Sequence, residues 1–143
     1  MSKREISLYL VDIFIAIFKI KEYTKDFNSS EELLYSSLHW DGTIRELQIL
    51  GEAINELIKN QILGEEYRKI VNFRNVITHK YFGIDNSIVW NIIEFKLDEI
   101  VNDIKNLISN NKIDIDEAIE CSIIEYKKIK QNSIVEYLKT IIE

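Results

Sequence analysis

The chain has 143 residues, 46% hydrophobic and 29% charged, with a formal net charge of −6 and one cysteine. That length fits a single domain able to bury a substantial core, and the lone Cys121 excludes an internal disulfide or a Cys-rich metal site. The acidity excludes a surface that attracts phosphates everywhere, so any nucleic-acid role must come from a local basic pocket.

A reducing, cytoplasmic setting is the expectation. The basic start and apolar run of MSKREISLYLVDIFIAIFKIKEY share features with a secretion signal. Asp12 interrupts the run, charge returns at Lys19, Lys21 and Glu22, and no small-residue cleavage site follows. No other segment approaches the roughly 18 uninterrupted apolar residues of a membrane span, so no membrane contact is expected.

With no proline and four glycines, the two strongest helix breakers are almost missing and long helices are permitted nearly everywhere. Ile6, Leu10, Ile13, Ile17 and Ile20 step by three or four, which predicts an amphipathic helix ending near Asp26. Asn28, Ser29 and Ser30 break it and offer an N-cap, with Glu31 and Glu32 suited to a first turn. A short helix through Leu38 is expected to run into a kink around Asp41-Gly42. A long second helix follows, with Ile44, Leu47, Ile49, Leu50, Ile54, Leu57 and Ile58 as its apolar face and Asn60 to Gly64 as its end.

Glu65 to about Tyr81 reads as a third helix, closed by Phe82-Gly83. From Asp85 or Asn86, Ile88, Ile92, Phe95 and then Ile93, Leu97, Ile100, Ile104 and Leu107 mark a fourth, stopping at the polar Ser109 to Lys112. Four such helices with short connections predict an all-α, antiparallel up-and-down bundle. Asp114 offers a cap for a last helical region to Glu143, broken near Gln131-Asn132-Ser133. This region reads as an appended hairpin or arm, dividing the chain into a bundle over 1–110 and a helical extension over 111–143.

The third helix carries FRNVITHKYFG, Phe73 to Gly83. Four apart, Asn75 and His79 share a ridge; Arg74 and Tyr81, seven apart, share another, and the two ridges are neighbours. A cation, an amide, a titratable base and a phenol on one helix suit phosphodiester cleavage without a metal. His79 can take or give a proton near neutral pH, Arg74 can stabilise charge growing on a phosphate, and Asn75 can orient either partner because its amide both donates and accepts. RNA brings its own nucleophile, the 2′-OH. One histidine is thin for two proton transfers, and a symmetric dimer facing two such helices would supply the second. By spacing alone, however, these residue types on a helix are more often surface groups or satisfied core groups.

Arg74-Asn75-Val76-Ile77-Thr78-His79-Lys80-Tyr81 resembles the signature of the HepT-like toxins of the HEPN superfamily (higher eukaryotes and prokaryotes nucleotide-binding): arginine, four residues, histidine, one residue, tyrosine. The surroundings are similar too. LYLVDIFIAIFKIKEY from Leu8 resembles the opening helix, IRELQILGEAINEL from Ile44 the second with its Gly-Glu-Ala, and RNVITHKYFGIDNSIVWNII the segment leading into the following helix. The likeness spans roughly Ile6 to Leu107. GEEYRKIVNF departs from the family in lacking a Pro-Trp, which leaves the start of the third helix open.

The resemblance implies a helical homodimer with the motif lining an interface cleft, acting as a metal-independent endoribonuclease, with no cofactor, that leaves a 2′,3′-cyclic phosphate. Arg74 and His79 would be catalytic, with Asn75 the polar residue after the arginine. The chain would be the toxin of a type II toxin-antitoxin pair whose partner, a minimal nucleotidyltransferase of the MNT type, transfers AMP to Tyr81 and assembles with the toxin in a higher-order complex. Such an addition would place bulk and negative charge beside Arg74. The alternative reading is a non-catalytic HEPN module that binds nucleotide or simply partners a nucleotidyltransferase.

Among the remaining residues, His39-Trp40-Asp41 reads as structural, and Glu46, Glu52 and Glu56 as carboxylates that solvate the second helix. Two histidines in the whole chain argue against a dedicated transition-metal site. Arg45, Lys59, Arg68, Lys69 and Lys80 are candidates for a weak RNA-binding rim, against the plainer reading of solvated helix faces. Trp90 reads as core.

Overall fold

The computed structural model describes residues 1–79 and 83–142, His79 by its backbone alone. It is all-α, with no strand among the described residues. In order come α1 (Lys3–Thr24), α2 (Ser30–Tyr35), α3 (Ser37–Lys59), a 3-10 turn (Glu65–Tyr67) and α4 (Arg68–His79). Then follow α5 (Asn86–Asn91), a π-type turn (Ile92–Lys96), α6 (Leu97–Asn110), α7 (Asp116–Lys128) and α8 (Asn132–Ile141). Among the described residues no helix is long and apolar enough to cross a membrane.

Local chemistry sets most of these boundaries. The Ser2 side chain accepts from the amide of Glu5, and Ser29 accepts from the amide of Glu32, each relieving an orphan donor of a first turn. Asp85 caps α5 through the Ser87 amide, and Asp114 accepts from the Asp116 amide ahead of α7. At the other ends, Gln61, Lys112 and Lys130 adopt positive φ. The amide after each bonds back five residues, from Ile62 to Leu57, Ile113 to Ile108 and Gln131 to Tyr126. These left-handed closures end α3, α6 and α7 without a glycine in the turn position.

The helices pack around one core. α1 and α3 form its axis, with Leu10, Ile13, Phe14, Ile17 and Ile20 against Leu47, Leu50, Ile54 and Leu57, all nearly or fully inaccessible. α4 adds Ile70, Val71 and Ile77, and α6 adds Leu97, Ile100 and Ile104. The α7–α8 hairpin lies on α1 and sends Ile119, Ile134 and Leu138 into the same hydrophobic cluster. Tyr137 of α8 stacks on Phe18 of α1, ring centroids 4.6 Å apart.

The first three helices depart from the sequence expectations at their ends and at the glycine. The short helix stops at Tyr35, not Leu38, and α3 runs straight through Asp41-Gly42. The break falls at Ser36, whose backbone is extended. Gly42 serves closeness: a Cβ there would stand 3.1 Å from the Tyr23 ring. The third helix begins with a 3-10 turn before α4 proper.

The fourth helix is not one regular stripe. The π-type turn inserts a residue, so the buried positions pass from Val89 and Ile92 to Leu97, Ile100 and Ile104, bypassing Lys96. Phe95, expected inside, is therefore exposed; Ile88, ahead of the turn, is exposed as well, and Trp90 is only half-buried beside the fully buried Val89.

Candidate functional site

α4 is short and its buried stripe is Ile70, Val71 and Ile77. Arg74 falls in the middle of that stripe, at i+4 from Ile70 and i+3 from Val71, so its stem is directed at α3 rather than at solvent. The α3 residue facing it is Gly51. A Cβ on Gly51 would meet Arg74 Cβ at 2.4 Å and Cγ at 2.7 Å, so only glycine admits the arginine stem at this crossing. The guanidinium then emerges at the edge of the two helices, with its side chain 25% exposed.

Its contacts fix the plane. Nη1 donates to Asn75 Oδ1 at 2.9 Å and Nη2 donates to Glu52 Oε1 at 3.2 Å. Nε is buried and has no hydrogen-bond partner among the described residues. The Thr78 hydroxyl donates back to the Arg74 carbonyl at 3.0 Å, four residues earlier, so its polar end is satisfied on the helix itself. The guanidinium opens onto a shallow cleft of about 200 Å³ shared by Tyr9, Glu52, Asn55 and Glu56.

His79 is the last residue of α4; its side chain, with Lys80 and Tyr81, lies outside the described residues. On the helix itself, five positions separate Arg74 from His79 by about 140° around the axis at about 100° per residue, so the two ridges expected to be neighbours face well apart. Asn75 and His79, four apart, differ by only about 40°. The structure therefore joins Arg74 to Asn75 directly.

The proposed rim does not gather at one opening. Arg45 lines a depression with Trp40, Asp41, Ile44 and Ile77. Lys69 lines an apolar groove with Phe73, Ile88 and Lys96. Arg68 is engaged by both oxygens of Glu65, at 3.0 and 3.1 Å, and Lys59 sits 3.6 Å from Glu56. Lys80 lies outside the described residues.

The three carboxylates read as solvating α3 take different parts. Glu46 is buried, 4.0 Å from Lys19, and burial raises its carboxyl above the usual range against the opposing pull of Lys19 and Arg45. Glu56 remains at the surface with Lys59, whereas Glu52 is a ligand of Arg74. The signal that could have found Glu52 is its neighbour: a glycine inside a helix, costing about 1 kcal/mol against alanine, demands a packing reason. His39 is structural, its Nδ1 2.7 Å from the Ser36 hydroxyl and its ring 5.0 Å from that of Phe27. Among the described residues no three His, Cys, Asp or Glu side chains converge as metal ligands.

Comparison with known proteins bears on what this arrangement serves. Residues 13–108 match the family described as ribonuclease HepT-like. The chain is 32% identical over 108 residues to "Putative RNase MJ1380" of Methanocaldococcus jannaschii, covering 73% of this chain and 98% of that protein. It is 29% identical over 108 residues to "Probable ribonuclease HepT" of Thermococcus cleftensis, covering 73% and 97% respectively. No solved structure matches.

Proposed function

The chain belongs to the HepT-like ribonuclease family, and from that premise we propose that it is the endoribonuclease toxin of a type II toxin-antitoxin pair, acting in the cytoplasm. Arg74 and His79 carry the reaction, and Asn75 orients the guanidinium. The observation that supports this most is the cost borne to hold Arg74. An arginine occupies a core-stripe position, a glycine is spent on α3 to admit it, and its Nη1 is bound to Asn75. A surface arginine needs none of that.

In the proposed reaction His79 accepts the proton of a 2′-OH as that oxygen attacks the adjacent phosphorus. Charge accumulates on the phosphoryl oxygens, where Arg74 donates. The 5′-oxygen leaves with a proton from a second imidazole, and the products are a 2′,3′-cyclic phosphate and a 5′-OH. The angular separation of positions 74 and 79 along α4 favours a homodimer, in which Arg74 of one subunit and His79 of the other meet across a twofold cleft. The MNT-type nucleotidyltransferase antitoxin, in a higher-order complex with the dimer, silences it by transferring AMP to Tyr81. The added phosphate repels an RNA backbone and competes for Arg74.

The test is cleavage of RNA by the purified chain in excess chelator, with Arg74→Ala and His79→Ala as controls of unchanged helicity. Expected are cyclic-phosphate ends from the wild type and a loss of at least about 100-fold in either variant. Undiminished cleavage by folded His79→Ala sinks the mechanism. Absence of cleavage with tight binding of nucleotide or of the nucleotidyltransferase selects the non-catalytic module. Intact-mass measurement after co-expression with the nucleotidyltransferase, with Tyr81→Phe as control, tests the modification.

A further inference from the structure

We infer that Glu52 is a positioning residue that latches Arg74 for phosphate contact, an inference that rests on the reading of Arg74 as the phosphate-facing group. Three observations converge on one side chain. Gly51 admits the stem of Arg74 and leaves no room for its Cβ to shift toward α3. Glu52, the next residue, receives Nη2 at 3.2 Å, while Asn75 receives Nη1 at 2.9 Å. Nε is shut away from solvent with no partner among the described residues.

A guanidinium has five N–H donors in one plane. Here one hydrogen on Nη1 and one on Nη2 are taken, the Nε hydrogen faces the protein interior, and one hydrogen on each Nη has no acceptor among the described residues, leaving it to a ligand. Acceptors on both sides fix the rotation about the last side-chain bonds, which for a free arginine would cost entropy at each encounter with substrate. Glu52 suits this work because it is itself 61% exposed, so its carboxylate remains solvated and needs no further partner.

The carboxylate also carries a charge that repels phosphate. A latch and an electrostatic gate therefore differ in outcome: removing a latch lowers kcat, whereas removing a gate improves KM and leaves kcat untouched.

The test compares wild type with Glu52→Ala and Glu52→Gln. Cleavage kinetics use a mixed-sequence single-stranded RNA oligonucleotide, and binding uses its non-cleavable 2′-O-methyl form. A second readout, independent of activity, is the 15N–1H signal of Arg74 Nε, assigned by its disappearance in Arg74→Lys. Expected for Glu52→Ala are a fall in kcat of about 10- to 100-fold, the scale of a catalytic group misplaced by about 1 Å, equal or tighter binding of the 2′-O-methyl RNA, and faster solvent exchange of the Nε proton. Glu52→Gln, which keeps an acceptor oxygen, should recover most of kcat.

A kcat for Glu52→Ala within twofold of wild type overturns the inference, as does a gain in kcat/KM. If the wild type cuts no RNA, the ribonuclease reading fails by itself and the Nε signal decides the latch alone. Unchanged exchange in Glu52→Ala refutes the latch, and accelerated exchange upholds it.

Discussion

Replacing Gly51 with alanine sets two opposed effects against each other. Alanine in a helix interior is favoured over glycine by about 1 kcal/mol, so propensity alone would stabilise α3. The new Cβ would lie 2.4 Å from Arg74 Cβ, against a comfortable carbon separation of about 3.5–4.0 Å. Arg74 Cβ is bonded to the backbone and cannot rotate away, so α4 must retreat by about 1 Å or more. Overpacking of this kind costs about 1–3 kcal/mol, and the rigidity of both atoms puts it at the upper end. The expected net loss is about 2 kcal/mol, or about 4–8 °C in Tm at about 2–4 °C per kcal/mol for a chain of this size.

Gly42→Ala is the matched control. Its Cβ would come 3.1 Å from the Tyr23 ring, the far part of a half-buried side chain that needs to yield by only a few tenths of an ångström. Propensity should then offset the contact and leave Tm nearly unchanged. Thermal and urea unfolding followed by far-UV circular dichroism would measure both. A Gly51→Ala protein as stable as wild type, or more so, would refute the tight crossing and with it the account of why Arg74 points where it does.

Other expectations follow from the core and from buried charge. Leu138→Ala should cost about 2–5 kcal/mol in one cooperative urea transition, because Leu138 is fully inaccessible in the shared cluster; an unshifted main transition would mean that the hairpin unfolds on its own. For Glu46, a folded-state carboxyl raised mainly by burial is a liability that appears as pH rises through its titration. The Tm of Glu46→Gln minus that of wild type should accordingly grow from below the carboxylate range up to pH 7, and a flat difference would contradict the burial. The Tyr67 hydroxyl donates to Asp103, and burial followed by that carboxylate raises its pKa well above the ordinary tyrosine value near 10. Spectrophotometric titration should show Tyr67→Phe removing the latest tyrosine to ionise, with wild-type stability falling as pH rises beyond about 10.

The helical layout was legible because each helix announces itself locally, in the step of its apolar residues and in caps such as Ser29 and Asp85. The misreadings share a cause. Along the chain, glycine at position 42 and the stripe through Ile88, Ile92 and Phe95 speak only of their own helices, yet their meaning depends on Tyr23 and on the π-type turn at Ile92–Lys96. The cluster beginning at Arg74 stands out by residue type and spacing, and its likeness to a ribonuclease signature is likewise a property of the chain.

Nothing along the chain pairs Gly51 with Arg74, and the glycine before Glu52 hints at close packing there without saying that Glu52, rather than Glu46 or Glu56 on the same helix, meets a guanidinium. That required two helices to cross. Periodicity is written within about two turns, so the residues themselves dictated which faces turn inward. The partner across a helix crossing lies tens of residues away, and only the packed tertiary structure decided which carboxylate holds the guanidinium, which lies buried and which remains in water.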